Sequence, residues 1–190
     1  MTSRTAYLAL LLTLPALPAF AGIAVPLAPF HAIDLHGGGD VVLKHGAQQR
    51  VTILEGSLQY SRLAVANGTL DVSACEYWLR CPHDYRFKVE IETPLLSAIA
   101  VHGGGDLTTE GAFPRQDSMS LDIHGGGDAD VRAIPVRSAS VSVHGGGDLK
   151  VTATEVLNGA VEGGGDVTYW GHPRQVSVAT HGGGDVSSGD

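Results

Sequence analysis

The sequence has little basic charge. Its 190 residues contain 12 Lys and Arg against 20 Asp and Glu, a formal net charge of −8 at neutral pH. Nucleic acids and anionic lipid surfaces bind proteins mainly through neutralisation of their phosphates by basic side chains. The acidic composition therefore excludes both as preferred partners and favours cations, neutral glycans or proteins.

Long apolar runs are also scarce, and the single one lies within residues 1–21. This stretch has a basic start at Arg4, an apolar middle and a small-residue box at residues 19–21, a pattern typical of a secretory signal peptide. A proline at Pro15 breaks the run before it reaches the roughly 20 apolar residues that a membrane helix needs. The sequence predicts an exported protein whose mature form, residues 22–190, is one domain without a membrane span.

Cysteine is limited to Cys75 and Cys81. An exported chain meets an oxidising compartment, so these two residues predict a disulfide. Closing so short a loop stabilises a fold by about 2 kcal/mol. A c-type haem site is excluded because the pattern C-x-x-C-H is absent, and no local signature of a catalytic thiol accompanies either cysteine.

Catalytic motifs are missing as well. There is no G-x-S-x-G nucleophile turn, and no Lys-Ser/Thr pair follows the glycine-rich stretches, which excludes a nucleotide-binding loop. We expect no enzymatic activity. A carbohydrate-active enzyme is the alternative, because repeated carboxylates can supply an acid and a base, but identical repeats do not provide two distinct environments.

A repeated motif dominates what is present. The pentapeptide HGGGD or its variant EGGGD occurs six times, at residues 36–40, 102–106, 124–128, 144–148, 162–166 and 181–185. The last five aspartates follow one another at intervals of roughly 20 residues, and Asp40 precedes Asp106 by about three such intervals. A period of this length indicates a solenoid with one coil per motif. The long gap is predicted to hold coils that lack the motif.

Residues on both sides of the motif alternate between apolar and polar, which predicts strands. Val143 and Leu149 are six residues apart, and the same even spacing recurs at the other repeats. We therefore predict an all-β fold, a single-stranded parallel β-helix with about 18–22 residues per coil, whose corners place the first and third glycines inward. These corner glycines are Gly37, Gly39, Gly103, Gly105, Gly125, Gly127, Gly145, Gly147, Gly163, Gly165, Gly182 and Gly184.

The frame of the motif resembles the GIN domain family, described as the head of autotransporter adhesins in exported bacterial proteins. That family repeats apolar-Ser-Gly-Ser-Gly-Asp-apolar, and residues 101–107 of this chain match it with His and Gly in place of the two serines. The stretches at residues 29–35 and 66–70 are also similar. The resemblance implies a right-handed β-helix in the cell envelope and supplies no catalytic residues.

The histidines and aspartates of the motif form two predicted outward columns. Imidazoles and a carboxylate one coil apart can coordinate a divalent ion, and the strongest candidate is His144, Glu162 and His181. Alternatively, the histidines pack face to face beside the corner and each aspartate caps backbone N–H groups. No cofactor is expected, and a divalent cation is the one exception that the pattern allows.

Aromatic residues cluster around the cysteines, at Tyr77, Trp78 and Tyr85. They favour a loop packed over one side of the solenoid, or alternatively a surface that stacks on a sugar or binds a partner. The sequence therefore predicts a binding or structural module of the bacterial envelope, in the periplasm or at the cell surface. Its expected partners are a glycan, a protein or a second copy of the chain; a metal-binding protein is the alternative function.

Overall fold

The computed structural model describes residues 22–75 and 81–190, and within them the chain forms strands and no helix. The predicted signal peptide, residues 1–21, lies outside the described residues. None of the described segments is a helix long and apolar enough to cross a membrane. The strands are β1 Ile23–Val25, β2 Ala32–Gly37, β3 Asp40–His45, β4 Arg50–Glu55, β5 Arg62–Ala66, β6 Thr69–Ser73, β7 Lys88–Thr93, β8 Ala98–Gly103, β9 Leu107–Glu110, β10 Gln116–Gly125, β11 Ala129–Asp130, β12 Val136–Gly145, β13 Leu149–Gly163, β14 Val167–Trp170, β15 Gln175–Gly182 and β16 Val186–Ser188.

The strands before and after each motif form two parallel ladders. The leading ladder contains the strands that end at a motif, in the order β2, β8, β10, β12, β13 and β15. The trailing ladder contains the strands that follow a motif, in the order β3, β9, β11, β13, β14 and β16. Strand β13 is 15 residues long and belongs to both ladders, which joins them into one sixteen-stranded sheet.

The two ladders bury a shared apolar core because the alternation of side chains continues in register from coil to coil. Ile123 pairs with Val143 in the leading ladder, and Leu107 pairs with Ala129 in the trailing ladder. All four side chains are at most 2% exposed. Burial of a valine, leucine or isoleucine side chain contributes about 1.5–3 kcal/mol, so the fold is stabilised mainly along this interior.

The prediction of an all-β chain is confirmed, but a purely parallel stack is wrong at one end. Strand β1 pairs antiparallel with β4, β4 with β7, and β5 with β6. These strands come from the N-terminal segment and from the segment between the first two motifs. They add to the outer edges of β6 and β7, where no further parallel strand is present among the described residues.

The segment between the first two motifs supplies strands without the motif, as predicted, but these strands do not lie between the two motifs. Strand β2 pairs directly with β8, so that His36 lies beside His102, and β3 pairs directly with β9. The long segment between the first two motifs therefore does not separate them in space. The segment instead supplies β6 and β7, which stack on the opposite side of β2 and β3. Spacing along the chain gives the length of the insertion but not the side on which it packs.

The predicted disulfide is confirmed. Cys75 and Cys81 are bonded, with their Cα atoms 5.9 Å apart. Both cysteines belong to the connection between β6 and β7, which contains no glycine motif. Ala74 N–H donates to His36 O at 3.0 Å, and Asp40 N–H donates to Phe87 O at 2.8 Å, so both ends of the loop are fixed to the first motif.

Replacing both cysteines by serine is expected to lower the free energy of unfolding by about 2 kcal/mol, because the unfolded chain loses the constraint of a closed loop. Urea unfolding of the oxidised wild type and the Cys75→Ser/Cys81→Ser variant measures the difference. The wild type under reducing conditions is the control and should match the variant. Equal midpoints for the oxidised wild type and the variant would show that the bond does not contribute to stability.

Candidate functional site

The first glycine of each motif ends a leading strand, and its backbone is left-handed. Over the six copies its φ lies between +89° and +133°. A Cβ added at Gly103 would lie 2.7 Å from Gly37 O in the neighbouring coil. The prediction that this glycine points inward is wrong, because the chain turns here and a side chain would face the backbone of the preceding motif instead.

The third glycine points into the core. Gly39, Gly105 and Gly127 are buried, as are their counterparts Gly147 and Gly165. A Cβ added at Gly147 would overlap the carbonyl oxygen of Gly127 and lie 3.0 Å from Ile123 Cγ2. The middle glycines differ, since a Cβ there would meet nothing within 4 Å. Two of the three glycines are therefore required by the corner.

Backbone hydrogen bonds between coils hold the corner. Gly103 O accepts hydrogen bonds from Gly126 N–H and Gly127 N–H, both at 2.9 Å. The same pair of bonds recurs at the later motifs. In each case the carbonyl oxygen of a first glycine accepts from the second and third glycine N–H groups of the following motif; the acceptors are Gly125 O, Gly145 O and Gly163 O. Because each corner satisfies the amides of its neighbour, these groups need neither a hairpin nor a ligand as a partner.

The aspartates complete this bonding. Asp128 Oδ1 accepts from Asp148 N–H at 2.8 Å, and Asp148 Oδ1 accepts from Asp166 N–H at 3.0 Å. Equivalent bonds run from Asp128 N–H to Asp106 at 3.2 Å and from Asp185 N–H to Asp166 at 2.8 Å. The carboxylates therefore cap backbone N–H groups, and the amide capped belongs to the next coil.

The histidines form a stacked column on the leading ladder. The imidazole rings of His36, His102, His124 and His144 follow one another with centroid distances of 5.0, 5.2 and 4.7 Å. Neighbouring rings are within 15° of parallel. Face-to-face packing beside the corner is thus the arrangement that the residues adopt.

Carboxylates lie beside the imidazole nitrogens of this column. Asp34 Oδ1 is 3.1 Å from His36 Nε2 and 3.4 Å from His102 Nε2. Asp122 Oδ1 is 3.0 Å from His124 Nε2. Both oxygens are buried and receive no hydrogen bond from the described residues. These contacts satisfy the carboxylates only when an imidazole proton is directed at them.

The metal site predicted at His144, Glu162 and His181 remains a prediction. The three residues are register partners in successive strands, and His144 Nδ1 is 3.2 Å from Glu162 Oε2. Within residues 22–75 and 81–190, no three histidine, cysteine, aspartate or glutamate side chains are grouped so that they could hold a metal ion. Calorimetry with Zn²⁺, Cu²⁺ and Ca²⁺ decides the question: heat that a His144→Ser variant loses would support the site.

Comparison with protein families gives a match over most of the chain. The family described as "Putative auto-transporter adhesin, head GIN domain" matches residues 29–117 and 115–173. The chain belongs to this family. In the frame of the GIN motif, the middle glycine of this chain stands where the family has serine, and the open space beside Gly104 is consistent with that difference.

Solved structures from several bacteria are similar to this chain. A putative adhesin from Bacteroides fragilis is 18% identical, covers 88% of this chain and 95% of its own, and has a TM-score of 0.55. A putative cell adhesion protein from Clostridium sporogenes is 13% identical over 88% of this chain and 98% of its own, with a TM-score of 0.43. A putative lipid binding protein from Parabacteroides distasonis is 16% identical over 89% and 96%, with a TM-score of 0.36. No curated protein matches this GIN domain.

The aromatic cluster of this GIN domain is only partly described, because Tyr77 and Trp78 lie outside the described residues. Tyr85 is half-buried, and its ring packs edge-on against Tyr60 at a centroid distance of 5.3 Å. Its hydroxyl donates to Ser57 O at 2.9 Å and accepts from Ser57 N–H at 3.0 Å. Tyr85 therefore fixes the neighbouring loop, which leaves little of its ring for a ligand.

The trailing ladder carries a cleft that the sequence did not reveal. Arg132 forms a bidentate pair with Asp130, with Nη2 to Oδ2 at 2.6 Å and Nε to Oδ1 at 2.9 Å. The guanidinium carbon lies 4.8 Å from the ring centroid of Trp170, two coils further along. Partial burial acts to raise the pKa of Asp130, but the hydrogen bonds and charge of Arg132 outweigh it and lower that pKa below its ordinary value.

No motif could have identified this cleft. Asp130 and Arg132 precede Trp170 by two coils, and only the stacking of the intervening coil brings them together. An acid, a base and an aromatic residue at that separation have no sequence signature. The coil period of roughly 20 residues is the one signal that relates the positions.

Proposed function

We propose that this GIN domain is an exported binding or structural module of the bacterial envelope, located in the periplasm or at the cell surface. Its mature form spans residues 22–190. These fold as a right-handed parallel β-helix with an antiparallel end, at about 18–22 residues per coil. Membership of the adhesin-head family supports adhesion, and in-register pairing of successive motif strands supports the helix.

One observation carries the proposal: the polar groups of the repeated motif are used by the scaffold. Asp128 and Asp148 each cap an amide of the following coil, and the histidines stack on one another. An active site needs groups in distinct environments, whereas the aspartates of successive repeats make the same backbone contact. The function is therefore assigned to the loops and outer faces, with no catalytic activity expected.

The loop closed by the Cys75–Cys81 disulfide is the first candidate for contact with a glycan or protein. It contains Tyr77 and Trp78, two of the chain's few aromatic residues, and aromatic side chains dominate the energetics of such contacts. Exposed apolar side chains also lie at this end of the fold, where Leu54 is 40% and Leu58 51% exposed.

Retention of the purified protein on bacterial envelope polysaccharide and on envelope protein tests this function. We expect binding to one fraction, and at least a tenfold loss for the Tyr77→Ala/Trp78→Ala variant. A matched control is Leu95→Ala, which removes an exposed apolar side chain elsewhere and should bind like the wild type. No retention on either fraction would contradict the proposal.

Self-association is a second proposal, and it is supported by the last coil. Strand β15 pairs with β13 on one side, and no strand among the described residues covers its other edge. Seven of its eight residues are exposed, and its sequence has no lysine or proline to discourage pairing. Light scattering should show a species heavier than one chain at high concentration; a constant monomer mass would contradict it.

A further inference from the structure

We propose that two copies of this chain associate through their last coils, with β15 of each copy pairing antiparallel with β15 of the other about a two-fold axis. This inference rests on the self-association proposed above. It adds the symmetry of the interface and the charged residues that select a second copy as the occupant. The surface is the uncovered edge of the coil formed by residues 171–190.

The last coil leaves core positions uncovered. Val176 is the register partner of Leu157, and Val186 is the register partner of Val167. Leu157 and Val167 are 0% exposed, whereas Val176 is 43% exposed and Val186 is half-buried. A second copy seated on this edge would therefore remove apolar surface from water.

The opposite end of the fold is already covered. There β5 pairs with β6, and β4 pairs with β7, both antiparallel. Core positions of the outermost parallel strands, Leu70 in β6 and Ile91 in β7, are 0% exposed. The two ends are thus unlike, and the uncovered core positions lie at the last coil. A contact between two last coils closes after two copies, whereas a contact between unlike ends would continue into a filament.

Backbone acceptors are also left without partners at the last motif. Gly163 O accepts from two amides of that motif, and Asp166 Oδ1 accepts from Asp185 N–H at 2.8 Å. No donor among the described residues takes the corresponding place at Gly182 O or Asp185 Oδ1. A strand edge that ends in this way is a template for pairing with another strand.

The charged groups of the last coil lie at opposite ends of this edge. Arg174 directly precedes β15 and Asp185 follows it, and both are exposed. Arg174 forms no ion pair with any of the described residues. His172 and Asp190 lie together, with Nε2 and Oδ2 3.6 Å apart, and His181 is the one ionisable side chain within β15.

A two-fold axis brings the opposite charges together. In an antiparallel pair centred on Val178, the inward position Val176 lies opposite the partner's inward position Thr180. Arg174 then lies at the end of the strand that leads to the partner's Asp185. Because the interface is isologous, the same attraction forms twice.

The preceding coil agrees with this arrangement. Glu162 is the register partner of His181, and Asp166 contacts the amide of Asp185, so the end that meets the partner's Arg174 is acidic. Glu155 lies at the other end, where it is 3.5 Å from Arg137. An unrelated strand could pair with the same backbone edge, but a second copy supplies both the acid and the base at the required ends.

Sedimentation equilibrium of the purified protein at pH 8, from about 1 μM to about 1 mM, tests the arrangement. We expect the mass to rise to that of two chains and then stay constant. Arg174→Glu and Asp185→Arg should each weaken association by about tenfold or more, because each places two pairs of like charges in the interface. An equimolar mixture of the two variants should regain wild-type association, since each copy then supplies the charge that the other needs.

Arg115→Glu is the matched control. Arg115 is exposed and stands in the same Pro-Arg-Gln sequence as Arg174, but in an inner coil, and the variant should associate like the wild type. Thermal unfolding of every variant checks that it is folded. A mass that keeps rising, a charge variant that associates like the wild type, or a mixture that stays monomeric would each overturn the two-fold pairing and leave self-association standing. A constant monomer mass would overturn both, and retention on envelope fractions would still decide the binding function.

Discussion

Replacing Gly147 by alanine is expected to lower the free energy of unfolding by about 3 kcal/mol or more. The added methyl group would overlap the carbonyl oxygen of Gly127 and press against Ile123. Backbone atoms of a neighbouring coil cannot move aside cheaply, and overpacking of this kind commonly costs about 1–3 kcal/mol before any hydrogen bond is lost. Displacing the coil would also stretch the bonds that Gly125 O accepts.

Gly146→Ala provides the control within the same motif. A Cβ at Gly146 meets no atom within 4 Å, so the change should alter stability by no more than about 0.5 kcal/mol. Urea unfolding of both variants compares adjacent positions of one corner. Equal effects for the two variants would show that the third glycine does not have the close contact described here.

Removing two carboxylates of the aspartate column should have the next largest effect. Asp128→Ala/Asp148→Ala deletes the acceptors of two backbone amides, those of Asp148 and Asp166. Each lost bond to a charged acceptor costs about 1.5–3 kcal/mol, with the lower end appropriate because the corner is exposed. We therefore expect a loss of about 3 kcal/mol, measured by thermal or urea unfolding.

The isosteric variant separates the hydrogen bond from the charge. Asp128→Asn/Asp148→Asn keeps an acceptor oxygen at each position and removes two like charges that lie about 4.8 Å apart along the stack. It should be as stable as the wild type, or slightly more stable at low salt. If the asparagine and alanine variants were equally destabilised, the ionic charge would matter more than the bond.

Sequence periodicity predicted the parallel pairing of the motif strands but not the antiparallel strands at one end. The even spacing from Val143 to Leu149 required both residues to face one core, and both are fully buried. The spacing could not show that the chain turns at the first glycine. A continuous strand and a sharp corner can both place the residues before and after the motif in the core. The left-handed φ of Gly145, +133°, distinguishes the two.

The contacts that could not be predicted from the sequence are those that depend on which strands are neighbours in the sheet. His36 stacks on His102 across the long insertion between their motifs, and the insertion's direction of packing has no local signal. Asp34 and Asp122 lie beside the histidines because residues two apart on a strand share a face, and that relation was available from the sequence. The cleft at Arg132 required knowledge of the stacking order.

The central claim is that the repeated motif is scaffold and that binding lies elsewhere. The most direct measurement converts three motifs to the family's form and assays envelope retention together with thermal stability. The substitutions are His102→Ser, His124→Ser, His144→Ser, Gly104→Ser, Gly126→Ser and Gly146→Ser. We predict a folded protein that binds its envelope fraction with wild-type affinity. A variant that melts like the wild type but no longer binds would place the functional site in the histidine column and contradict the claim.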